Sequence, residues 1–588
     1  MKKKTLSAKV YYLILLLIVL AGVVILNVLV WATDYRVDFT EDQRYSLTES
    51  TKDVLESDSL LKNRLLFKVY LEGEKLPAEL RRLRNSIKDK LDEFKYYAGK
   101  KVEYEFIDPT EGTEADFKQL SEQLMDKGNG LTPLIVNYRS KGTADKLVVF
   151  PGAKVEYKGI TSSYIQFLQG GNADLNAGLE QKIQNSITNI EYELMKAIDK
   201  AARTTKQNIG VLHGHGELKT PKTAYLRRQL EDAYTFTDLS INGKIDALDD
   251  VDGLIIADPK EVFTDKDKFV IDQFLMRGGK VMVFYNPLEV NNDSLRKNQT
   301  VYTRRKRTGL EDLTFDYGIK INEDLVVDAN YGYFFLSKRQ ETRPLPWYFY
   351  IRSQGTDHPI SSQVDPVFLM YASSLQFVKQ DGLKPHVLLT SSNNSKVHGQ
   401  GSMIVSLGMS RLGEVPEFAD ASNNQNKKLL GAIVEGKFSS AFKNRITDAY
   451  SNNPNARFIE EGEKPGKLMV VTSGTFFANQ YYDSVYVKET NSYRYYEKRS
   501  GPYQIEDLID NAFPKGNFEF MQNAVDYMMG EEALLSVRSR SIDLHPTNKQ
   551  KVVNQGGFYK AINLLIPLGS IILLALITLF IRKRKYAK

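Results

Sequence analysis

Two uncharged apolar runs, one near each end, constrain this chain more than any other feature. Residues 10–33 carry no charge and include Leu13-Ile14-Leu15-Leu16-Leu17-Ile18-Val19-Leu20, and residues 561–581 are likewise uncharged. At helical rise the first run is roughly 36 Å long, enough to cross a hydrocarbon core of about 30 Å with some tilt. It is longer than a secretory signal's apolar stretch, and no small-x-small cleavage pattern follows it. Trp31 and Tyr35 stand where interfacial aromatics anchor a span. Lys2, Lys3, Lys4 and Lys9 precede the first run, and Arg582-Lys583-Arg584-Lys585 and Lys588 follow the second. The positive-inside rule then predicts two transmembrane helices in a bacterial inner membrane. Both termini, 1–9 and 582–588, are expected in the cytoplasm and the bulk of the chain in the periplasm.

The intervening residues are too many for one core, so more than one domain is expected. Cysteine is absent, which excludes a disulfide framework, thiolate zinc sites and a Cys nucleophile. The net charge is +6, and the basic residues flanking the two runs account for it, so the expected ectodomain is slightly acidic or near neutral. Composition therefore gives no sign of a nucleic-acid partner.

The fold class is α/β. Thr48 is placed to cap a short helix over 49–55. Leu65–Leu71 reads as a strand, Pro77–Ala98 as a helix with Leu80, Leu83, Ile87, Leu91 and Phe94 on one face, and Val102–Ile107 as a second strand. A helix near 114–127 follows, then strands at 134–139 and 146–150. A long amphipathic helix over 175–203 closes a first periplasmic domain, 34–203. A second, 208–545, opens with continuous apolar strands at 209–212, 236–241, 253–257 and 280–285, alternating with helices at 223–233 and 266–277. That alternation predicts a parallel, doubly wound sheet. Beyond 286 the pattern loosens. Arg304-Arg305-Lys306-Arg307 reads as a solvated loop or as a contact for an anionic glycan, a lipid headgroup or a partner, and the aromatic stretch 343–350 as a loop that stacks sugar rings or packs an insert onto the sheet. Asn517–Met529 reads as a helix, Val537–Asp543 as a strand, and 546–560 as a juxtamembrane linker before the span at 561–581.

The loop His213-Gly214-His215-Gly216-Glu217 is the candidate binding site. It falls at the carboxyl end of the first strand of the parallel sheet, where such folds place ligands, and its glycines permit a sharp turn and a close backbone approach. It reads either as a structural turn or as a contact for a ligand or partner. His213, His215 and Glu217 are metal-ligand types, but three ligands on one tight loop seldom converge on one ion, so neither metal nor cofactor is expected. A serine elbow is missing: Thr472-Ser473-Gly474 lacks the first glycine of G-x-S-x-G. The Gly-Lys pairs at 99–100, 243–244, 279–280, 436–437 and 466–467 are never followed by Ser or Thr. No P-loop binds ATP here, and an ATP-driven role needs a separate ATPase subunit.

The second domain resembles class I glutamine amidotransferases, yet without cysteine their reaction is excluded. Over essentially its full length the chain resembles the GldG family of gliding-motility-associated ABC transporter auxiliary proteins, labelled substrate-binding. The matching stretches are Tyr35–Thr40 with Arg44–Leu47, Gly214–Glu217, Arg307–Leu313, His358–Ile360 with Asp365–Val367, Asn523–Tyr527 and the basic tail. The resemblance implies an inner-membrane complex with an ABC permease and a separate ATPase. It also implies an amidotransferase-like module of the kind seen in an intraflagellar transport subunit, where it serves binding. Solute-binding proteins are usually free or lipid-anchored, and two spans depart from that pattern.

The expected function is that of a non-enzymatic, membrane-anchored accessory subunit of a gliding-motility ABC transporter. Its periplasmic domains would bind cargo, a cell-envelope component or a partner protein, and its spans would meet the permease and membrane lipid. The alternatives are a periplasmic carbohydrate-active or hydrolytic enzyme, whose paired carboxylates sequence alone cannot reveal, and a structural scaffold.

Overall fold

In the computed structural model, the described residues are 15–22, 24–25, 46–57, 63–74, 76–125, 130–140, 143–168, 171–174, 179–202, 205–338, 341–362, 364–411, 426–443, 458–487, 492–502, 516–531, 535, 537 and 549–586. The chain forms two compact units: Ser46–Arg540, and the terminal segments Met1–Tyr45 with Ser541–Lys588.

The large unit opens with helix α1 (Glu49–Glu56), capped as expected by Thr48, whose hydroxyl accepts from Thr51 N–H. Strand β1 (Leu65–Val69), helix α2 (Ala78–Ala98) and strand β2 (Val102–Phe106) follow. The apolar stripe of α2 is buried along its length, and Gly99 ends the helix at φ +60. Helix α3 (Glu114–Leu124) starts at a Thr113–Asp116 capping box. Strands β3 (Leu134–Ser140) and β4 (Thr143–Val149) pair antiparallel, with Leu134 opposite Val149. A hairpin that the sequence reading did not anticipate follows, β5 (Gly152–Tyr157) and β6 (Ile160–Gln166), and then β7 (Gly171–Asp174), which joins β3. One sheet runs β2-β1-β5-β6 and a second runs β4-β3-β7. Helix α4 (Leu179–Ala202) packs with α2 in one core through Ile183, Ile190, Leu194 and Ile198. Glu191 of α4 accepts hydrogen bonds from Thr48 N–H and from the Thr48 and Thr51 hydroxyls at 2.8–2.9 Å, which ties α1 to this helix.

The second half is built on strands β8 (Gln207–Leu212), β9 (Tyr234–Leu239), β10 (Gly253–Ala257) and β11 (Lys280–Phe284), with helices α5 (Ala224–Leu230), α6 (Asp265–Met276) and α7 (Leu310–Asp316). The sheet continues through β12 (Tyr331–Lys338), β13 (Glu341–Gly355), β14 (Leu383–Thr390), β15 (Leu429–Gly436) and β16 (Gly466–Val471). The strand order is β9-β8-β10-β11-β16-β15-β14-β13-β12. Strands β9 to β16 are parallel along this path, and β15 and β14 then run antiparallel. The sheet is therefore mixed, with a doubly covered parallel half. On one face Ile255, Met282, Phe284 and Met469 meet Leu226 and Leu230 of α5 and the apolar side of helix α8 (Gly516–Met529). On the other, Leu254, Ile256, Val281 and Val283 meet α6 and α7. This alternation explains the continuous apolar strands.

Two readings are corrected. The aromatic stretch at 343–350 lies within strand β13, whose prolines Pro344 and Pro346 face Phe335 and Tyr333 on β12. Trp347, Tyr348, Phe349 and Tyr350 are buried in a local core, so they pack the insert and are not open for stacking sugars. Val537 is helical where a strand was expected; residues 538–543 lie outside the described residues.

In the terminal unit, residues 15–22 and 24–25 of the first apolar run are helical and exposed, and the rest of that run lies outside the described residues. Helix α9 (Lys549–Tyr586) contains Lys560–Ile581, long and apolar enough to cross a membrane. The described part of the expected juxtamembrane linker, 549–560, is helical and continuous with it.

Candidate functional site

In the parallel half the chain order is two-one-three-four-five, because β8 lies between β9 and β10. The order reverses between β8 and β10, so the topological switch point falls at their carboxyl ends. The loop 213–217 leaves β8 there, and Asp258-Pro259-Lys260 leaves β10. The two loops are joined: His215 C=O accepts from Lys260 N–H at 2.7 Å and Glu261 N–H at 2.9 Å, and Leu218 N–H donates to Ala257 C=O. Gly214 (φ +125) and Gly216 (φ +75) hold left-handed backbone that side chains resist. A Cβ on Gly216 would also stand 3.0 Å from Lys260 Cβ, so the close approach needs glycine.

The two histidines have different partners. His213 N–H extends the ladder to Leu239 C=O, and its Nε2 lies 2.7 Å from Asp238 Oδ1. Asp238 also receives the Arg227 guanidinium and the Thr220 hydroxyl. Burial raises the Asp238 carboxyl, but the bonds from Arg227 and His213 outweigh it and hold the group below its usual range. His215 is buried and stacks on Phe263, with ring centroids 3.8 Å apart. Its Nδ1 lies 3.2 Å from Glu217 Oε1 and its Nε2 3.4 Å from Asp267 Oδ2. Burial opposes the charge, yet the two carboxylates overcome it and raise the imidazole's affinity for a proton. Asp267 is fixed by the Thr264 capping box that starts α6 and accepts from Gly243 N–H at 2.8 Å. Each of the imidazoles is thus held by carboxylates, and among the described residues no group of three His, Asp or Glu side chains is arranged to hold a metal ion.

The neighbouring strand ends carry groups that sequence reading missed. Lys306, expected in a solvated loop, is buried with its Nζ 2.7 Å from Asp258 Oδ1, and Lys260 Nζ lies 3.6 Å from Asp258 Oδ2. The amide of Asn286 bridges Met370, Tyr371 and Thr472 carbonyls and accepts from Gly474 N–H at 2.6 Å. Ser473 is fully buried, and its hydroxyl accepts from Met370 N–H. Among the described residues no imidazole or carboxylate reaches it. The only sequence signal for Asp258 was the Asp-Pro pair that ends β10; nothing marked Lys306 apart from its basic neighbours.

A family model described as an ABC-type uncharacterized transport system matches residues 206–508. The chain belongs to this ABC transporter auxiliary family. The family's matched segment covers the mixed sheet and its carboxyl edge, and a domain of unknown function matches residues 41–156. An uncharacterized protein of Borreliella burgdorferi is 23% identical over 560 residues, covering 94% of each chain. A solved structure, the mmIFT52 N-terminal domain, aligns with 55% of this chain and 98% of its own at 16% identity and a TM-score of 0.30.

Proposed function

We propose that the chain is a non-enzymatic accessory subunit of an ABC transport system of the gliding-motility GldG type. Two spans hold the ends of an ectodomain in the inner membrane, with both termini cytoplasmic and the bulk periplasmic. The spans meet the permease, a separate ATPase acts through that permease, and the ectodomain binds cargo, envelope material or a partner protein. The observation that carries this reading is the family match over 206–508. The apolar helix Lys560–Ile581 supports membrane anchoring. The order of the parallel strands supports an amidotransferase-like module. Without cysteine the amidotransferase reaction is excluded, and among the described residues no imidazole or carboxylate reaches the Ser473 hydroxyl. Gentle detergent extraction of a tagged full chain from its host tests the proposal. An ABC ATPase and a permease are expected to co-purify with it, and recovery of the chain alone would overturn it.

A further inference from the structure

Between residues 561 and 581, helix α9 carries only three amide or hydroxyl side chains, Asn563, Ser570 and Thr578. At 3.6 residues per turn these three and Pro567 share one face, an arc of roughly 80°. Two of them are satisfied by their own helix: Ser570 Oγ donates to Pro567 C=O at 2.8 Å and Thr578 Oγ1 to Ala575 C=O at 2.7 Å. The Asn563 amide has no hydrogen-bond partner among the described residues. Pro567 also has no N–H for the Asn563 carbonyl one turn earlier, so the helical ladder is interrupted at the same residue. In a membrane such groups are met by a neighbouring helix.

The first apolar run carries matching residues at matching depths. Asn27 is the one polar side chain in 13–30, and at helical spacing the sequence sets Tyr12 and Leu16 on its face. Lys9 is the last charge before the first run and Arg582 the first charge after the second. Counted from Lys9, Tyr12 and Asn27 stand about 5 and about 27 Å into the run; counted from Arg582, Thr578 and Asn563 stand about 6 and about 29 Å in. An antiparallel alignment that sets Asn27 against Asn563 therefore also sets Tyr12 against Thr578 and Leu16 against Leu574, with the basic boundaries level. Leu16 and Leu574 are each 62% exposed, so both faces are open to a partner. The chain also brings the two runs together. Leu47, beyond the first, and Val537, before the second, are both buried in the core that α2 and α4 share. The two terminal segments fall in one compact unit.

We propose that the first apolar run and helix α9 pack on each other as an antiparallel pair, through a seam of Tyr12, Leu16 and Asn27 against Thr578, Leu574 and Asn563. The Asn27 and Asn563 amides hydrogen-bond to one another near the outer boundary. Leu568 and Leu573 lie outside the polar arc and are left for the permease. The pairing rests on the two spans proposed above and identifies what covers the polar face of the second.

The chain has no cysteine, so introduced thiols report alone. Leu16→Cys with Leu574→Cys, made in the full chain, is oxidised in native membranes with copper phenanthroline. A disulfide needs the two Cβ atoms within about 4.5 Å, so it reports direct contact. After denaturation, a maleimide-polyethylene glycol tag counts the free thiols. Most of the chain is expected as an untagged monomer that takes two tags once reduced. Ile18→Cys with Leu574→Cys, on the far face of the first run, is expected to take two tags without reduction. Two tags on the Leu16 pair, or equal joining in both pairs, overturns the seam. So does a disulfide-linked dimer of Leu574→Cys alone, which assigns the face to a second copy. An impermeant maleimide on intact spheroplasts tests the spans separately through Thr5→Cys and Ala587→Cys. Labelling of either refutes the two-span reading. Protection of both without joining of the Leu16 pair refutes the seam alone.

Discussion

The Lys306 ammonium lies 2.7 Å from Asp258 Oδ1, and both side chains are buried where β10 ends. The pair joins the end of a core strand to the inserted segment that follows β11, across 48 residues of sequence. Removing Lys306 leaves the buried Asp258 carboxylate with only the more distant and more exposed Lys260, at 3.6 Å. Lys306→Met is expected to destabilise the protein by about 3–5 kcal/mol, and Lys306→Met with Asp258→Asn to restore most of that loss. Asn is chosen because Asp258 sits at φ +51, which Asn tolerates. Urea titrations of the two variants check this; equal losses in both would contradict it.

Gly474 packs against the same aspartate. A Cβ there would stand 2.7 Å from Asp258 Cβ and 2.9 Å from its Oδ1. Gly474→Ala is expected to cost about 1–3 kcal/mol through overpacking, measured as a lower melting temperature.

His215 predicts a pH dependence. Its pKa in the fold is raised above the ordinary 6.5 because, although burial opposes the charge, Glu217 and Asp267 favour it more strongly. Stability from this group is complete below that ordinary value and is lost as pH rises through the raised one. Melting temperature is expected to fall above about pH 6.5 in the wild type and to fall less in His215→Gln. Parallel profiles for the two proteins would show that His215 contributes no linkage.

Asp272 is buried and has Tyr317, Gln273, Ser440 and the Ala441 N–H as donors. Burial outweighs these donors and raises its carboxyl above the ordinary 3.8. Stability therefore falls as pH rises from that value through the raised one. Tyr317→Phe keeps the ring packed edge-on to Phe438 but removes a donor. It is expected to cost about 1–3 kcal/mol near neutral pH and less in acid, as read from urea midpoints.

Much of the parallel half was legible because its strands are buried on both faces. Gly253–Ala257 is an unbroken buried run, and its observed bounds match the sequence reading. The β5–β6 hairpin was not legible: its residues carry no continuous apolar run, and its fit depends on β1, far back in the chain. Strand β13 was hidden by Pro344 and Pro346, which read as loop but lie at positions paired with Phe335 and Tyr333 of β12. At the candidate site the loop 213–217 was visible from its glycines and its place after β8. The partners that hold its histidines were not, because Asp238 and Asp267 come from other strand and helix ends. Lys306 was misread for a related reason. A basic run suggests solvent, and only the fold brings Asp258 to it.

Contact between the apolar helix and a permease is tested most directly by photocross-linking in living cells from a benzoyl-phenylalanine placed at Leu568 or Leu573, exposed residues of that helix. A covalent adduct with an ABC permease, identified by mass spectrometry, is expected from at least one of these positions. Efficient incorporation at both positions with adducts to lipid alone would contradict it.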